Sequence, residues 1–309
     1  MRTPSYVDSY QSGLLRRRAT LARELLRHCS LCPRNCGIDR LVGEKGCCRT
    51  GELARVAACH AHFGEEPPLV GWRGSGTIFM SSCNLLCTFC QNYDISHRAE
   101  GEDLQAGSLA AMMLALQEKG CHNINIVSPT HVVPQMLEAL IPAVEGGLMI
   151  PLVYNCSGYE KIETLRILEG IIDIYMPDFK FWDETMADRF CRAPDYPVRA
   201  REAIREMHRQ TGDLKTDSSG LAYRGLLVRH LVMPNDAAGS RQVVEFLARE
   251  ISASTYVNIM DQYRPSGTAG TDPLIGRPGH REEYLAAIEA AREAGLDRIE
   301  CGGAFFRAS

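Results

Sequence analysis

From Gly76 onward, short apolar runs alternate with amphipathic stretches, and this alternation restricts the possible folds more than any other feature of the chain. Candidate strands lie at 77–80, 123–127, 149–154, 171–176, 226–232 and 255–259. Helix-like segments lie between them at 108–119, opened by Ser108 and stopped by Gly120, and at 133–140, 161–169, 201–210 and 241–251. A last amphipathic helix is expected at about 281–294. Strand-helix alternation implies a parallel sheet with right-handed crossovers. Six such units predict an α/β fold built as an incomplete (β/α)6 barrel. The composition changes near residue 74, because the preceding residues hold the first six cysteines, many turns and little strand character. The expected division is therefore a small Cys-rich amino-terminal segment with a helix over 1–73, and the barrel with its carboxyl-terminal helix over 74–309.

Parallel barrels hold ligands at the carboxyl ends of their strands, and polar residues fall at that position repeatedly. Cys83-Asn-Leu-Leu-Cys87-Thr-Phe-Cys90 follows the first run, and Ser128-Pro-Thr130-His131 follows the second. Asn155-Cys-Ser-Gly158 and Asp178-Phe-Lys180 follow the third and fourth. Four in succession on one face point to a single site. Three thiols on one short loop can each ligate one corner of a 4Fe-4S cluster, which leaves the fourth iron open to a small molecule. A structural zinc site would need a distant fourth ligand, and ordinary buried cysteines have no reason to recur at this spacing. A disulfide framework is disfavoured by the odd number of cysteines, 13, and by the lack of an apolar signal stretch near the Arg-rich start.

With 309 residues and 45% hydrophobic content, the chain can bury a full-sized core. No apolar run approaches the roughly 18 to 20 residues that span a bilayer; the best, 148–154, contains a proline. A cytoplasmic location without a membrane partner is expected. A net charge of -4 and a pI near 6.2 argue against a chain that grips nucleic acid through phosphates. Arg16-Arg17-Arg18 reads as the solvated side of a helix whose inner face carries Leu14, Leu21 and Leu25.

The cysteine loop resembles the fingerprint of the radical S-adenosylmethionine (SAM) superfamily. Across almost its whole length the chain resembles the branch related to pyruvate formate-lyase activating enzyme, in its longer form with a cysteine-rich amino-terminal segment. Further matching segments are Cys29-Ser-Leu-Cys32-Pro-Arg-Asn-Cys36, the Gly-Glu-Glu-Pro-Pro-Leu run from Gly64 to Leu69, Asn-Ile-Val-Ser-Pro-Thr-His, Tyr-Met-Pro-Asp-Phe-Lys and Val-Arg-His-Leu-Val-Met-Pro. The resemblance implies that Cys83, Cys87 and Cys90 hold a catalytic 4Fe-4S cluster and that SAM chelates its open iron. It places Phe89 beside the adenine, and Asp178 and Lys180 against the ribose and methionyl parts of SAM. Asn155 stands where activating enzymes often carry Asp, and Arg229 and His230 are further candidates. His230 equally suits a satisfied core histidine. One departure is clear: the Gly-Gly-Glu motif that holds the SAM amino group is replaced by Ser128-Pro-Thr130-His131. Oxygens of Ser128 and Thr130, or backbone carbonyls freed by Pro129, would have to take its place.

Cys29, Cys32 and Cys36, followed by Cys47 or Cys48 after the Gly43-Glu-Lys-Gly46 turn, form a second thiol group with metal-site spacing. The family pattern favours Cys48 as the fourth ligand, and spacing leaves zinc and an auxiliary iron-sulfur cluster both open. Cys59, His60 and His62 add possible ligands. Cys121, Cys156, Cys191 and Cys301 read as packing residues. The resemblance implies an oxidoreductase that takes an electron from a low-potential flavodoxin or ferredoxin type donor and uses no side chain as general base. The expected substrate is a protein, a glycyl radical type enzyme activated by hydrogen abstraction. Modification or rearrangement of a small metabolite or peptide is the alternative, and a non-catalytic electron carrier is a third.

Overall fold

Ile124, Ile126, Leu152, Tyr154 and Tyr175 share the main core with the helices, whereas Val153, Ile174, Met176 and Leu227 form a separate, smaller inner core. Successive strand residues face opposite ways, so this division is that of a sheet curled round an interior and covered by helices outside.

The computed structural model describes residues 2–301. Its first half runs α1 (Ser5–Gln11), α2 (Leu14–Glu24), β1 (Ala54–His62), α3 (Pro67–Val70), β2 (Ser75–Met80), α4 (Tyr93–Arg98), β3 (Glu102–Leu104), α5 (Ala106–Glu118), β4 (Ile124–Val127) and α6 (Val133–Glu145). The second half runs β5 (Leu152–Cys156), α7 (Ile162–Ile167), β6 (Ile174–Pro177), α8 (Glu184–Cys191), α9 (Tyr196–Thr211), β7 (Lys215–Thr216), β8 (Ala222–Leu231), α10 (Ser240–Phe246), β9 (Tyr256–Met260), α11 (Arg281–Glu293) and β10 (Ile299–Glu300).

The strand order is β10-β9-β8-β6-β5-β4-β2-β1-β3. The six strands β2, β4, β5, β6, β8 and β9 are parallel neighbours and match the six expected runs. β10 and β3 end the order without pairing to each other among the described residues, so the barrel is partial. No helix of the described residues is long and apolar enough to cross a membrane.

Three local expectations need correction. The amino-terminal residues contain a nine-residue strand, β1, antiparallel to β2 and flanked by β3. Arg, Cys and His occupy its mostly half-buried positions, so pairing rather than apolar pattern specifies it. Helix α2 packs on α6 through Leu15, Ala19 and Ala22, with Leu26 just beyond, while Leu21 is 55% exposed. The small alanines allow close approach, and Leu14 and Leu25 flank the contact instead of forming it. The strand expected from 149 begins at Leu152, because Pro151 has no N–H to give the ladder. The preceding groups are taken by side chains instead: Met149 N–H donates to Gln117 Oε1 (2.6 Å) and Tyr6 OH donates to Ile150 O (2.7 Å).

The short helix α3 closes the amino-terminal end of the barrel. Leu69 is fully buried with Val153, Ile174, Met176 and Leu227, a burial that contributes about 2 kcal/mol. Asn123 Nδ2 donates to Leu69 O (2.9 Å), and Ser75 Oγ donates to Asn123 Oδ1 (2.6 Å), which fixes α3 to the first two parallel strands.

Candidate active site

At the opposite end, β2 leads into a loop in which Ser82 (φ 73°) and Leu86 (φ 57°) adopt left-handed backbone. Each such residue costs roughly 1–2 kcal/mol without glycine. The loop directs Cys83, Cys87 and Cys90 to a cavity of about 250 Å³, whose other walls include Ser128, Asn155, Asp178, Lys180 and Arg229. The carboxyl ends of β2, β4, β5, β6 and β8 therefore converge as the sequence pattern required.

Every thiol of the loop has a contact. Cys83 Sγ accepts from Leu85 N–H (3.3 Å), and Cys90 Sγ accepts from Ser96 Oγ (3.2 Å). Cys191 Sγ lies 3.3 Å from Cys87 Sγ, so the cysteine read as packing at the end of α8 touches the site. Burial and then the neighbouring Cys87 push the Cys83 thiol up to about 12. Contact with Cys191 and then burial push Cys87 well up, and burial followed by Cys87 raises Cys90. Three thiolates here repel one another and need a multiply charged cation to coexist. An iron-sulfur cluster supplies that charge, so the donor set fits such a group. Lys180 favours the thiolates of Cys87 and Cys90 by its own charge.

Across the cavity, Asp178 organises an ionic network. Lys180 Nζ donates to Asp178 Oδ2 (2.6 Å), and Arg229 Nε donates to Asp178 Oδ1 (2.7 Å). Arg229 Nη2 donates to Asn155 Oδ1 (2.8 Å). Burial acts to raise the Asp178 carboxyl, but Arg229 and Lys180 outweigh it and hold the group below its ordinary range. Burial disfavours the Lys180 ammonium, yet Asp178 overcomes this and raises its pKa. Beneath the network, Arg229 Nη1 pairs with Glu65 Oε2 (3.4 Å). Glu65 was not expected in the site, although its segment, Gly64 to Leu69, stood out in the sequence.

Ser128 (φ 59°) lies on the wall, its N–H donating to Asn155 O (2.8 Å). Phe89 also lines the cavity and packs edge-on against Phe181 and Phe190. Thr130, His131 and His230 do not line it. After Ser128 the chain enters a single helical turn, Thr130–Val132, that carries the side chains behind the wall. There Thr130 Oγ1 donates to Glu160 Oε1 (2.5 Å), and His131 Nε2 donates to Ser81 O (2.9 Å). His230 sits between Phe179 O (2.7 Å) and Ser240 Oγ (2.9 Å) as a satisfied core histidine. Burial lowers both rings, His131 to about 4, so neither supplies a cation near neutral pH. Ser157, from the Asn155-Cys-Ser-Gly158 motif, also lines the cavity, as do Met260 and Gln262, which no motif distinguished.

In the amino-terminal segment, Cys29, Cys32 and Cys48 are buried, and Cys36 and Cys47 are half-buried. Burial raises the Cys32 and Cys48 thiols, and each also feels the charge of Cys29. Cys47 N–H donates to Cys36 Sγ (3.5 Å). Among the described residues, no group of three or more His, Cys, Asp or Glu is placed to hold a single metal ion.

No protein-family model matches the chain. An uncharacterized protein from Methanocaldococcus jannaschii, MJ0674, is 30% identical over 302 residues, spanning 95% of this chain and 82% of the relative. Among solved structures, a radical SAM methyltransferase from Sphaerobacter thermophilus shares the fold with a TM-score of 0.51 and 14% identity. That match covers 74% of this chain and 66% of the methyltransferase, just under two thirds of its length. The [FeFe]-hydrogenase maturase HydG aligns with a TM-score of 0.47 and 12% identity over 72% of this chain and 50% of that one.

Proposed function

The chain belongs to the family of the M. jannaschii protein MJ0674, and we propose that it is a radical SAM enzyme acting at the Cys83-Cys87-Cys90 loop. The observation that carries this reading is the convergence of those thiols with Asp178, Lys180, Asn155 and Arg229 on one cavity. Bound there, a 4Fe-4S cluster and SAM would supply reductive cleavage to methionine and a 5′-deoxyadenosyl radical.

The protein's own part is to bind, orient and exclude water. Cys83, Cys87 and Cys90 would hold the cluster. Asp178 can accept from ribose hydroxyls, and Lys180 and Arg229 offer donors to a carboxylate. Phe89 and its aromatic neighbours wall the cavity against water, which protects a reactive intermediate from quenching. Ser128 is the remaining side chain of its motif on the wall and is the candidate for holding the SAM amino group. The amino-terminal thiols would hold a second metal, as zinc or an iron-sulfur cluster.

The motif resemblance supports hydrogen abstraction from a partner enzyme of the glycyl radical type, with the electron delivered by a flavodoxin or ferredoxin type protein. A second reading, a small polar substrate inside the barrel, is favoured by Asn125. This fully buried residue alternates with the outward-packed Ile124 and Ile126, and its amide has no hydrogen-bond partner among the described residues. Buried amides are seldom left unpaired.

The test is anaerobic reconstitution, reduction with dithionite, addition of SAM and quantification of 5′-deoxyadenosine. Native protein is expected to form it, and the triple Cys83→Ala, Cys87→Ala, Cys90→Ala variant is not. Equal product from both would sink the reading. Stimulation by the small-molecule filtrate of a cell extract would favour the metabolite substrate, and stimulation by the macromolecular fraction the partner enzyme.

A further inference from the structure

The cysteine-rich amino-terminal segment reaches the Cys83–Cys90 loop through arginines. Arg34, between Cys32 and Cys36, donates Nε to Asn84 O (2.9 Å) and Nη2 to Leu85 O (3.2 Å). The same Nη2 donates to Cys191 O (2.9 Å), and Nη1 donates to Arg192 O. One guanidinium thus gathers two carbonyls of the loop and two at the end of α8, using all three of its nitrogens. It also stands 5.2 Å over the Tyr159 ring, whose backbone oxygen accepts from Asn84 Nδ2 (2.8 Å).

The anchored carbonyls are placed where the loop needs support. Asn84 and Leu85 lie between Ser82 and Leu86, the two left-handed residues that cast the thiols toward the cavity. Strained backbone of this kind persists only where its surroundings over-determine it. Both ends of the loop are braced from the same segment. Buried Arg40 donates Nη1 to His131 O (2.8 Å), and His131 donates in turn to Ser81 O (2.9 Å) at the loop's start. Arg49 bonds His97 O beyond its end, next to Ser96, which donates to Cys90 Sγ. Of these three arginines, Arg34 is the one that bonds the middle of the loop, beside the bonds that Asn84 Nδ2 donates to Tyr159 O and Thr88 N–H to Phe190 O.

Resting on the radical SAM reading, we propose that Arg34 is a positioning residue that holds the loop in the conformation able to accept the cluster. The folding of the amino-terminal cysteine segment then governs loading of a site to which its own thiols do not contribute.

The experiment compares full-length native protein with Arg34→Ala, Arg34→Lys and, as a control on the exposed face of α2, Arg17→Ala. Each is reconstituted anaerobically with iron and sulfide. The readouts are circular dichroism and melting temperature, iron and sulfide per chain, and the electron paramagnetic resonance spectrum of the reduced protein before and after SAM. Arg34→Ala is expected to keep its secondary structure but to incorporate at least fivefold less of the iron that native protein takes up and the triple Cys83→Ala, Cys87→Ala, Cys90→Ala variant does not, or to hold a cluster whose spectrum no longer responds to SAM. Arg34→Lys is expected to recover only part of this, since a point-charge ammonium lacks the planar fork. Folded Arg34→Ala that loads iron and answers SAM like native protein overturns the proposal. If Arg34→Ala does not fold, Arg34→Lys decides by the same criterion. Native protein that takes up no iron at the three cysteines removes the radical SAM reading, and the proposal with it, before any variant is compared.

Discussion

Glu160 is fully buried behind the cavity wall, where its carboxylate accepts from Thr130 Oγ1 and Tyr154 OH. Burial raises it to about 7 from an ordinary 4.5, and these hydrogen bonds only partly oppose the shift. The folded chain therefore keeps a proton that the unfolded chain releases. The associated stability is fully present below pH 4.5 and is lost as pH rises through 7, a change of about 3 kcal/mol. Glu160→Gln should flatten this dependence, read as a smaller difference in urea midpoint between pH 5 and pH 7.5. Asp173, raised to about 6 by burial, leaves a residual slope in both proteins. An unchanged slope would show that Glu160 ionises freely in the fold. The same corner explains which site residues could be found in the sequence. Cys83, Cys87 and Cys90 declare themselves because three thiols recur at close spacing on one loop. Thr130 and His131 were expected on the cavity with Ser128, but the helical turn that follows Ser128 carries their side chains behind the wall. Arg34 stood in a segment singled out for its cysteines, and its own role was not legible, since the carbonyls it serves lie 50 residues or more away.

The parallel strands were legible as elements because burial on both faces writes continuous apolar runs. Strand β1 was not, because its register comes from Val56 to His62 pairing with β2 while its side chains stay half-solvated. The division of α2 into faces failed for a related reason: alanine at Ala19 and Ala22 buries little area but sets the closest approach. Helix α3 is too short to announce itself by period, yet Leu69 closes the inner core. Leu69→Ala should destabilise the protein by about 2–5 kcal/mol, measured by chemical denaturation. A loss below about 1 kcal/mol would mean that the barrel interior collapses onto the vacancy.

Over the whole molecule, the sequence divides by composition near residue 74, but β1 from the earlier part and β2 from the later lie in one sheet. Composition reports where cysteines and turns are concentrated; it cannot report which strand an edge will accept. The proposed second metal belongs to this scale, because the thiols that would hold it lie in the segment whose Arg34 bonds the Cys83–Cys90 loop. Metal analysis of native protein should find zinc or iron beyond that of a single 4Fe-4S cluster. Cys29→Ser with Cys32→Ser should lose this excess, and equal metal content in the variant would exclude the site. The plug formed by α3 has a kinetic consequence. With Leu69 stopping the far end and Glu65 lodged under Arg229, the described residues close the barrel at the α3 end and leave it to be entered from the end that carries the Cys83–Cys90 loop. Whatever seats deepest must arrive first and depart last, so the order of arrival and release is written into the architecture.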